Sequence, residues 1–220
     1  MSPLRDGAVK ASDPENEQPV VLVIDDDPSL REALEGLFSS VGLRVETYQS
    51  AAAFLQAEMP TAPGCLVLDI RMPGQSGLDL QAELTREDIR IPIVFITGHG
   101  DVPMSVKALK AGAIDFLIKP FRDQDLLDAV TAGLDRACRQ RETEKRLSDL
   151  RACFDALTPR EQEIMKHVTA GLMNKQIAHQ LGLTEITVKI HRGNMMRKIG
   201  AKSLPDLVRM ADDLGLRQSP

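Results

Sequence analysis

Five short apolar runs, separated by segments of helical period, limit this chain more than any other feature: Val20–Ile24, Leu43–Tyr48, Gly64–Ile70, Ile91–Thr97 and Ile114–Ile118. Strand-length runs that alternate with helix-length ones are the pattern of β-α-β units around a parallel sheet. The runs are apolar nearly throughout rather than at every second position, so both faces of the sheet must be covered. Helices are expected over Leu30–Val41, Ala51–Ala57, Leu78–Thr85 and Met104–Ala111, with Ser50 capping the second. Right-handed crossovers then make a doubly wound α/β layer whose ligand crevice lies beyond the carboxyl ends of the strands.

A longer helical pattern begins at Asp123 and carries Leu126, Leu127, Val130 and Leu134 before turning polar from Arg139 to Arg146. Apolar residues resume at Leu147, Leu150, Phe154 and Leu157, a 3-4-3 spacing that suits either a short coiled-coil seam or packing on the chain's own next domain. Thr158-Pro159 reads as the N-cap and first position of a new helix. It opens a small all-α domain with helices over Arg160–Ala170, Asn174–Leu181, Glu185–Ile199 and Ser203–Leu214. The expected division is a disordered tail at 1–17, an α/β domain at 18–138, a helical linker at 139–154 and the all-α domain at 155–220.

Charge separates the two halves. Residues 1–150 hold 16 Lys/Arg against 25 Asp/Glu, whereas residues 151–220 hold 11 against 7, a balance of +4 inside a chain of net charge -5. Between Thr184 and Lys202 stand Lys189, Arg192, Arg197, Lys198 and Lys202, with Glu185 as the single acid. Such a field suits a polyanion, although a solvated helix face has the same composition. With aromatics at 3% and no Trp, base stacking on a single strand is a poor fit. Cys65, Cys138 and Cys153 are far apart and lack metal-ligand spacing, which reads as reduced thiols in a cytoplasmic protein. The tail has no apolar core of a signal peptide and no later stretch runs to 18 apolar residues, so neither export nor a membrane span is expected.

Asp25, Asp26 and Asp27 follow the first apolar run and Asp69 lies near the end of the third. Clustered carboxylates raise one another's pKa unless a cation neutralises them, and hard oxygen ligands favour Mg²⁺, or Mn²⁺, over zinc. Thr97 ends the fourth run, and Lys119-Pro120 follows the fifth. A metal, a carboxylate nucleophile, a hydroxyl and an ammonium at adjacent strand ends make a site for a transferring phosphoryl group.

VIDDDP, LDIRMPGQSG, FITGHGD and DFLIKPF, in this order and spacing, resemble the receiver domain of two-component response regulators over about residues 18–140. The resemblance implies a flavodoxin- or receiver-like sheet, Asp69 as phosphoacceptor, and Mg²⁺ held by Asp25, Asp26, Asp69 and the backbone carbonyl of Arg71. Thr97 would hydrogen-bond the phosphoryl group and Lys119 would pair with it, after a cis peptide bond to Pro120. Phe116 takes the aromatic switch position where many receivers have Tyr, so a ring without a hydroxyl serves there, alongside Thr97. His99 is expected in an adaptable loop rather than as a phosphate carrier. No turnover of an external substrate is implied beyond phosphorylation and dephosphorylation of Asp69 itself.

In the all-α domain, Gly182-Leu183-Thr184 joins two short helices at helix-turn-helix spacing. On the second of them Val188, Met195 and Ile199, with the stem of Arg192, form a core side. Lys189, Ile190, Gly193 and Arg197 face away, so Lys189 can reach guanine acceptors and Ile190 a thymine methyl, with Gly193 allowing close approach. Thr187, Arg192, Asn194, Arg197, Lys198 and Lys175 are placed for phosphates. LTPREQEIM, GLMNKQIAHQLGLTEITVKIHR and MRKIGAKS resemble the LuxR-type helix-turn-helix of the NarL/FixJ response regulators over about residues 155–215. Similar family members regulate nitrogen fixation and aromatic-hydrocarbon catabolism. The resemblance implies a cytoplasmic regulator phosphorylated by a sensor histidine kinase, a homodimer on phosphorylation, an inverted-repeat promoter site on double-stranded DNA, and RNA polymerase as a further partner, with activation as the outcome. Two other readings compete: a phosphorylation-independent DNA-binding protein with a scaffold-like receiver, and a Mg-dependent phosphatase.

Overall fold

The computed structural model describes residues 18–98 and 102–216. The tail expected at 1–17 and the loop residue His99 lie outside them. The chain divides into two compact units between Arg141 and Glu142.

In the first unit β1 (Val20–Ile24), β2 (Arg44–Tyr48), β3 (Gly64–Asp69), β4 (Ile93–Thr97) and β5 (Asp115–Ile118) form one parallel sheet in the order β2-β1-β3-β4-β5. Every residue of β1 is fully buried, as a central strand covered on both faces must be. One face carries Leu22, Leu66, Leu68 and Phe95 under α2 (Ala51–Gln56), α3 (Gly77–Arg86) and α4 (Val102–Lys110). The other carries Val21, Val23, Val67 and Ile96 under α1 (Pro28–Ser40) and the first part of α5 (Asp123–Asp155). Apart from β1, the expected strands shorten by one or two residues because their flanks make single bonds instead of ladders. Leu43 turns its amide back to Phe38, and Pro92 has no N–H, though its carbonyl still accepts from Leu66.

α1 starts two residues earlier than the periodicity suggests. Asp27, the last of the three consecutive acids, is its N-cap: the carboxylate accepts from the Ser29 amide at 2.9 Å, and Pro28 takes the first turn. At the start of α3, Gly77 packs over β3, and a Cβ there would collide with the Asp69 carbonyl oxygen.

In the second unit α6 (Pro159–Thr169), α7 (Asn174–Leu181), α8 (Glu185–Ile199) and α9 (Leu204–Asp213) enclose Ile164, Met165, Ile177, Val188, Met195, Ile199 and Leu207. Thr158 and Glu161 close a capping box at α6. Between α7 and α8, Gly182 adopts φ 65°, a left-handed turn that admits glycine cheaply. Leu150, Cys153 and Phe154 pack against this unit's own core, and Leu157 is buried in it. Packing therefore takes most of the seam left open by its spacing.

Gly77→Ala is expected to destabilise the first unit by about 1–3 kcal/mol, because backbone cannot swing aside as a flexible side chain can. Gly36→Ala, on an exposed helical position with nothing among the described residues within 4 Å of the added carbon, is expected to stabilise by about 0.5–1 kcal/mol. Urea denaturation of both variants checks the pair.

Candidate functional site

The strand order reverses between β1 and β3, and both carboxylate groups stand at their carboxyl ends. This is the switch point at which ligands of such sheets bind. Asp25 follows β1 directly and is fully buried, Asp69 ends β3 and is buried, and Asp26 is exposed. One carboxylate oxygen from each of the three lies within 4.8 Å of the others. The Asp27 amide donates to Asp25 Oδ1 at 2.9 Å, and the Arg31 guanidinium donates to the Asp25 carbonyl at 2.6 Å. Arg31 thus ties the first turn of α1 to the end of β1. Its signal in sequence, a cation four residues past an N-cap, is too common to single it out.

From the neighbouring strands come Thr97 and Lys119. Thr97 is fully buried at the end of β4, and the Lys119 amide donates to its carbonyl at 2.8 Å. The Lys119–Pro120 bond is cis. Lys119 Nζ donates to Asp25 Oδ2 at 2.7 Å and stands 3.7 Å from Asp69 Oδ2. One ammonium is therefore shared by two of the three carboxylates. Asp69 Oδ1 is buried and has no hydrogen-bond donor among the described residues. Burial pushes the Asp69 carboxyl above its ordinary range, Lys119 pulls it down, Asp25 pushes it up, and the Arg71 amide and Asp26 oppose each other more weakly. Phe116, on β5, is partly buried against the core cluster that holds Leu68 and Phe95.

Excess negative charge, an acceptor without a donor and three convergent oxygens are what a hard divalent cation would satisfy, so these residues fit Mg²⁺.

The second unit presents a different surface. On α8, Val188, Met195 and Ile199 are buried and Arg192 is half-buried, whereas Lys189, Ile190, Gly193 and Arg197 are exposed. Thr187 and Asn194 are half-buried at the edges, and Lys175 is exposed on α7. Arg192 donates to Asn174 Oδ1 at 3.1 Å and Arg197 to Asn194 Oδ1 at 2.7 Å, which holds both guanidinium groups in place. Lys198 differs from the other cations. Its ammonium donates at 2.7 Å to Glu161, which is only 3% exposed, so it joins α8 to the capping box of α6. Burial pushes the Glu161 carboxyl up, but Lys198 and Thr158 together hold it below the ordinary carboxylate range. Ile186 was not singled out by sequence reasoning and is 73% exposed, one turn before Ile190 on the same side. The spacing 186, 190, 193, 197 is the signal that marks it.

Comparison with known proteins accords with this geometry. The response regulator receiver domain matches residues 21–131, and the luxR family of bacterial regulatory proteins matches residues 155–211. The chain belongs to the NarL/FixJ family of two-component response regulators, with a receiver domain and a LuxR-type DNA-binding domain that support transcription regulation. Nodulation protein W of Bradyrhizobium diazoefficiens is 56% identical, covering 90% of this chain and 87% of its own. Response regulator protein TodT of Pseudomonas putida is 49% identical, with 89% and 86% covered. A solved structure of the response regulator StyR is 50% identical over 89% of this chain and 98% of its own, with a TM-score of 0.80. Receivers generally bind Mg²⁺ at an acidic pocket, and the two matched domains imply a kinase phosphodonor and a DNA target. No helix among the described residues is long and apolar enough to cross a membrane.

Two predictions follow from these charges. In metal-free buffer near pH 7, Asp69→Asn is expected to stabilise the first unit by about 1–2 kcal/mol by removing a buried charge with an unmet acceptor. Mg²⁺ should raise the wild-type melting temperature more than that of the variant. For Glu161 the folded pKa is depressed, so its stabilisation is present above the ordinary Glu range and is lost as pH falls through the folded value. Glu161→Gln is expected to cost the second unit about 2 kcal/mol at neutral pH. The gap from wild type should close on acidification, as followed by the amide NMR signals of α6 and α8.

Proposed function

We propose that Asp69 accepts a phosphoryl group from the phosphohistidine of a sensor kinase, or from a small acyl phosphate, and that this modification governs promoter binding. An Asp69 oxygen forms the new P–O bond as the donor's P–N or P–O bond breaks, and the product is a mixed anhydride. Asp25, Asp26, Asp69 and the Arg71 carbonyl would hold Mg²⁺ or Mn²⁺, which would supply positive charge to the phosphoryl oxygens. Lys119 would leave Asp25 for the phosphoryl group and Thr97 would donate its hydroxyl to it. Because Lys119 and Thr97 are joined through the β5–β4 backbone, their movement draws on the sheet edge that carries Phe116. The single observation behind this reading is the Lys119 ammonium, shared between Asp25 and Asp69 beside the unmet Asp69 Oδ1.

Phosphorylation adds about -1.5 to -2 charge at one point, and the active form must bind it better than the inactive form. The active receiver forms a homodimer, which brings two all-α domains to an inverted repeat of double-stranded promoter DNA and so acts, with RNA polymerase, to activate transcription in the cytoplasm. One such module makes too few phosphate contacts for stable binding at physiological salt. In this account residues 18–138 are the receiver, 139–154 the linker and 155–220 the DNA-binding domain. Lys189, Ile190 and Gly193 meet base edges. Lys175, Thr187, Arg192, Asn194 and Arg197 meet phosphates, and Lys198 positions α8 through Glu161.

With Mg²⁺ and a small acyl phosphate, the protein is expected to gain one phosphoryl group by intact mass and to double its mass by light scattering. Asp69→Asn should do neither. A modified but still monomeric wild type would remove dimerisation from the mechanism, and an unmodified one would point to the scaffold-like receiver.

A further inference from the structure

Gly193 lies within α8, is exposed, and has helical rather than left-handed backbone. A Cβ at this position would meet nothing among the described residues within 4 Å. Glycine weakens a helix interior relative to alanine, so the fold itself has no use for it here. Its neighbours along the outward stripe are Ile186 and Ile190, exposed by 73% and 58%, and Arg197. Large aliphatic side chains at such exposure lose contact with water only when something covers them.

From these features we infer that α8 reads a pair of thymine 5-methyl groups with Ile186 and Ile190, and that Gly193 supplies the clearance for the helix to lie that close. The inference rests on the DNA-binding reading above and names the base chemistry of its half-site. Charge identifies the occupant as duplex DNA: the stripe ends in Arg197, Lys189 borders it, and residues 151–220 hold 11 Lys/Arg against 7 Asp/Glu. The thymine methyl is the one apolar group that a base pair offers in the major groove. Side chains one turn apart on a helix are separated by about 6 Å, which matches roughly two base-pair steps of about 3.4 Å. The two thymines are therefore expected at neighbouring or next-neighbouring steps. An apolar protein partner would account for the isoleucines but not for the missing side chain between them and Arg197.

The test begins by selecting duplexes from a random pool with the full-length chain, Mg²⁺ and beryllofluoride. The bound duplexes are then rebuilt with single thymines replaced by deoxyuridine, which removes only the methyl group. Each of two replacements per half-site should weaken wild-type binding about four-fold, the equivalent of one buried methyl. Ile186→Ala and Ile190→Ala should each show a similar loss and become insensitive to deoxyuridine at one position. Gly193→Ala should raise the melting temperature of the second unit and weaken binding about ten-fold. Tight binding that ignores deoxyuridine and both isoleucine variants overturns the methyl readout while leaving DNA binding intact. Undiminished binding by Gly193→Ala overturns the clearance role. A selection that enriches no duplex overturns the DNA-binding reading and this inference with it.

Discussion

A parallel sheet covered on both faces confines its polar chemistry to its ends. In this chain β1 is buried at every residue, and β3 and β4 are nearly as dry, so charged groups on these central strands are held at their ends. Asp25 and Asp69 are carried there by β1 and β3, on either side of the point where the strand order reverses, and Lys119 arrives from the end of β5. Rigid strands fix Asp25 and Asp69 about one ammonium, with an oxygen of Asp26 close to both carboxylates, an arrangement left short of positive charge. That deficit fits the site to a divalent cation. Lys119, which in the proposed phosphotransfer would turn to the phosphoryl group, here donates to Asp25.

The second unit reaches its function through an opposite economy. Its helices are short and their ends are well capped, by Thr158 and Glu161 at α6, Thr184 at α8 and Ser203 at α9. The Glu161–Lys198 pair joins the start of α6 to the end of α8, and Arg192 joins the middle of α8 to Asn174. α8 is thus held by core contacts on one side and polar ties at its flank. Its outward side remains bare and can be given over to recognition.

Much of this was legible in the sequence because the governing signals are local. Dry strands read as unbroken apolar runs, and the Thr158-Pro159 and Gly182-Leu183-Thr184 signals placed helix ends within a residue. Asp27-Pro28 has the same cap-before-proline form as Thr158-Pro159, but inside a run of three acids its role as a cap does not stand out. Lys198 looked like one more cation in a basic run. Its partner Glu161 lies 37 residues away, and no local pattern reports a pair that forms only when α6 and α8 pack. Arg31 and Ile186 were passed over for a related reason, since each gains meaning from the direction in which its helix faces.

The account stands on a coupling between the Asp69 site and the exposed face of α8. Equilibrium titration of one selected promoter duplex, at fixed salt and with Mg²⁺, measures it most directly when run with and without beryllofluoride on wild type and Asp69→Asn. The account predicts an affinity gain of at least about ten-fold for the wild type and none for the variant, within the usual range of coupling between sites. Equal affinity in all four titrations would contradict it and leave the receiver as a scaffold for a constitutive DNA-binding protein.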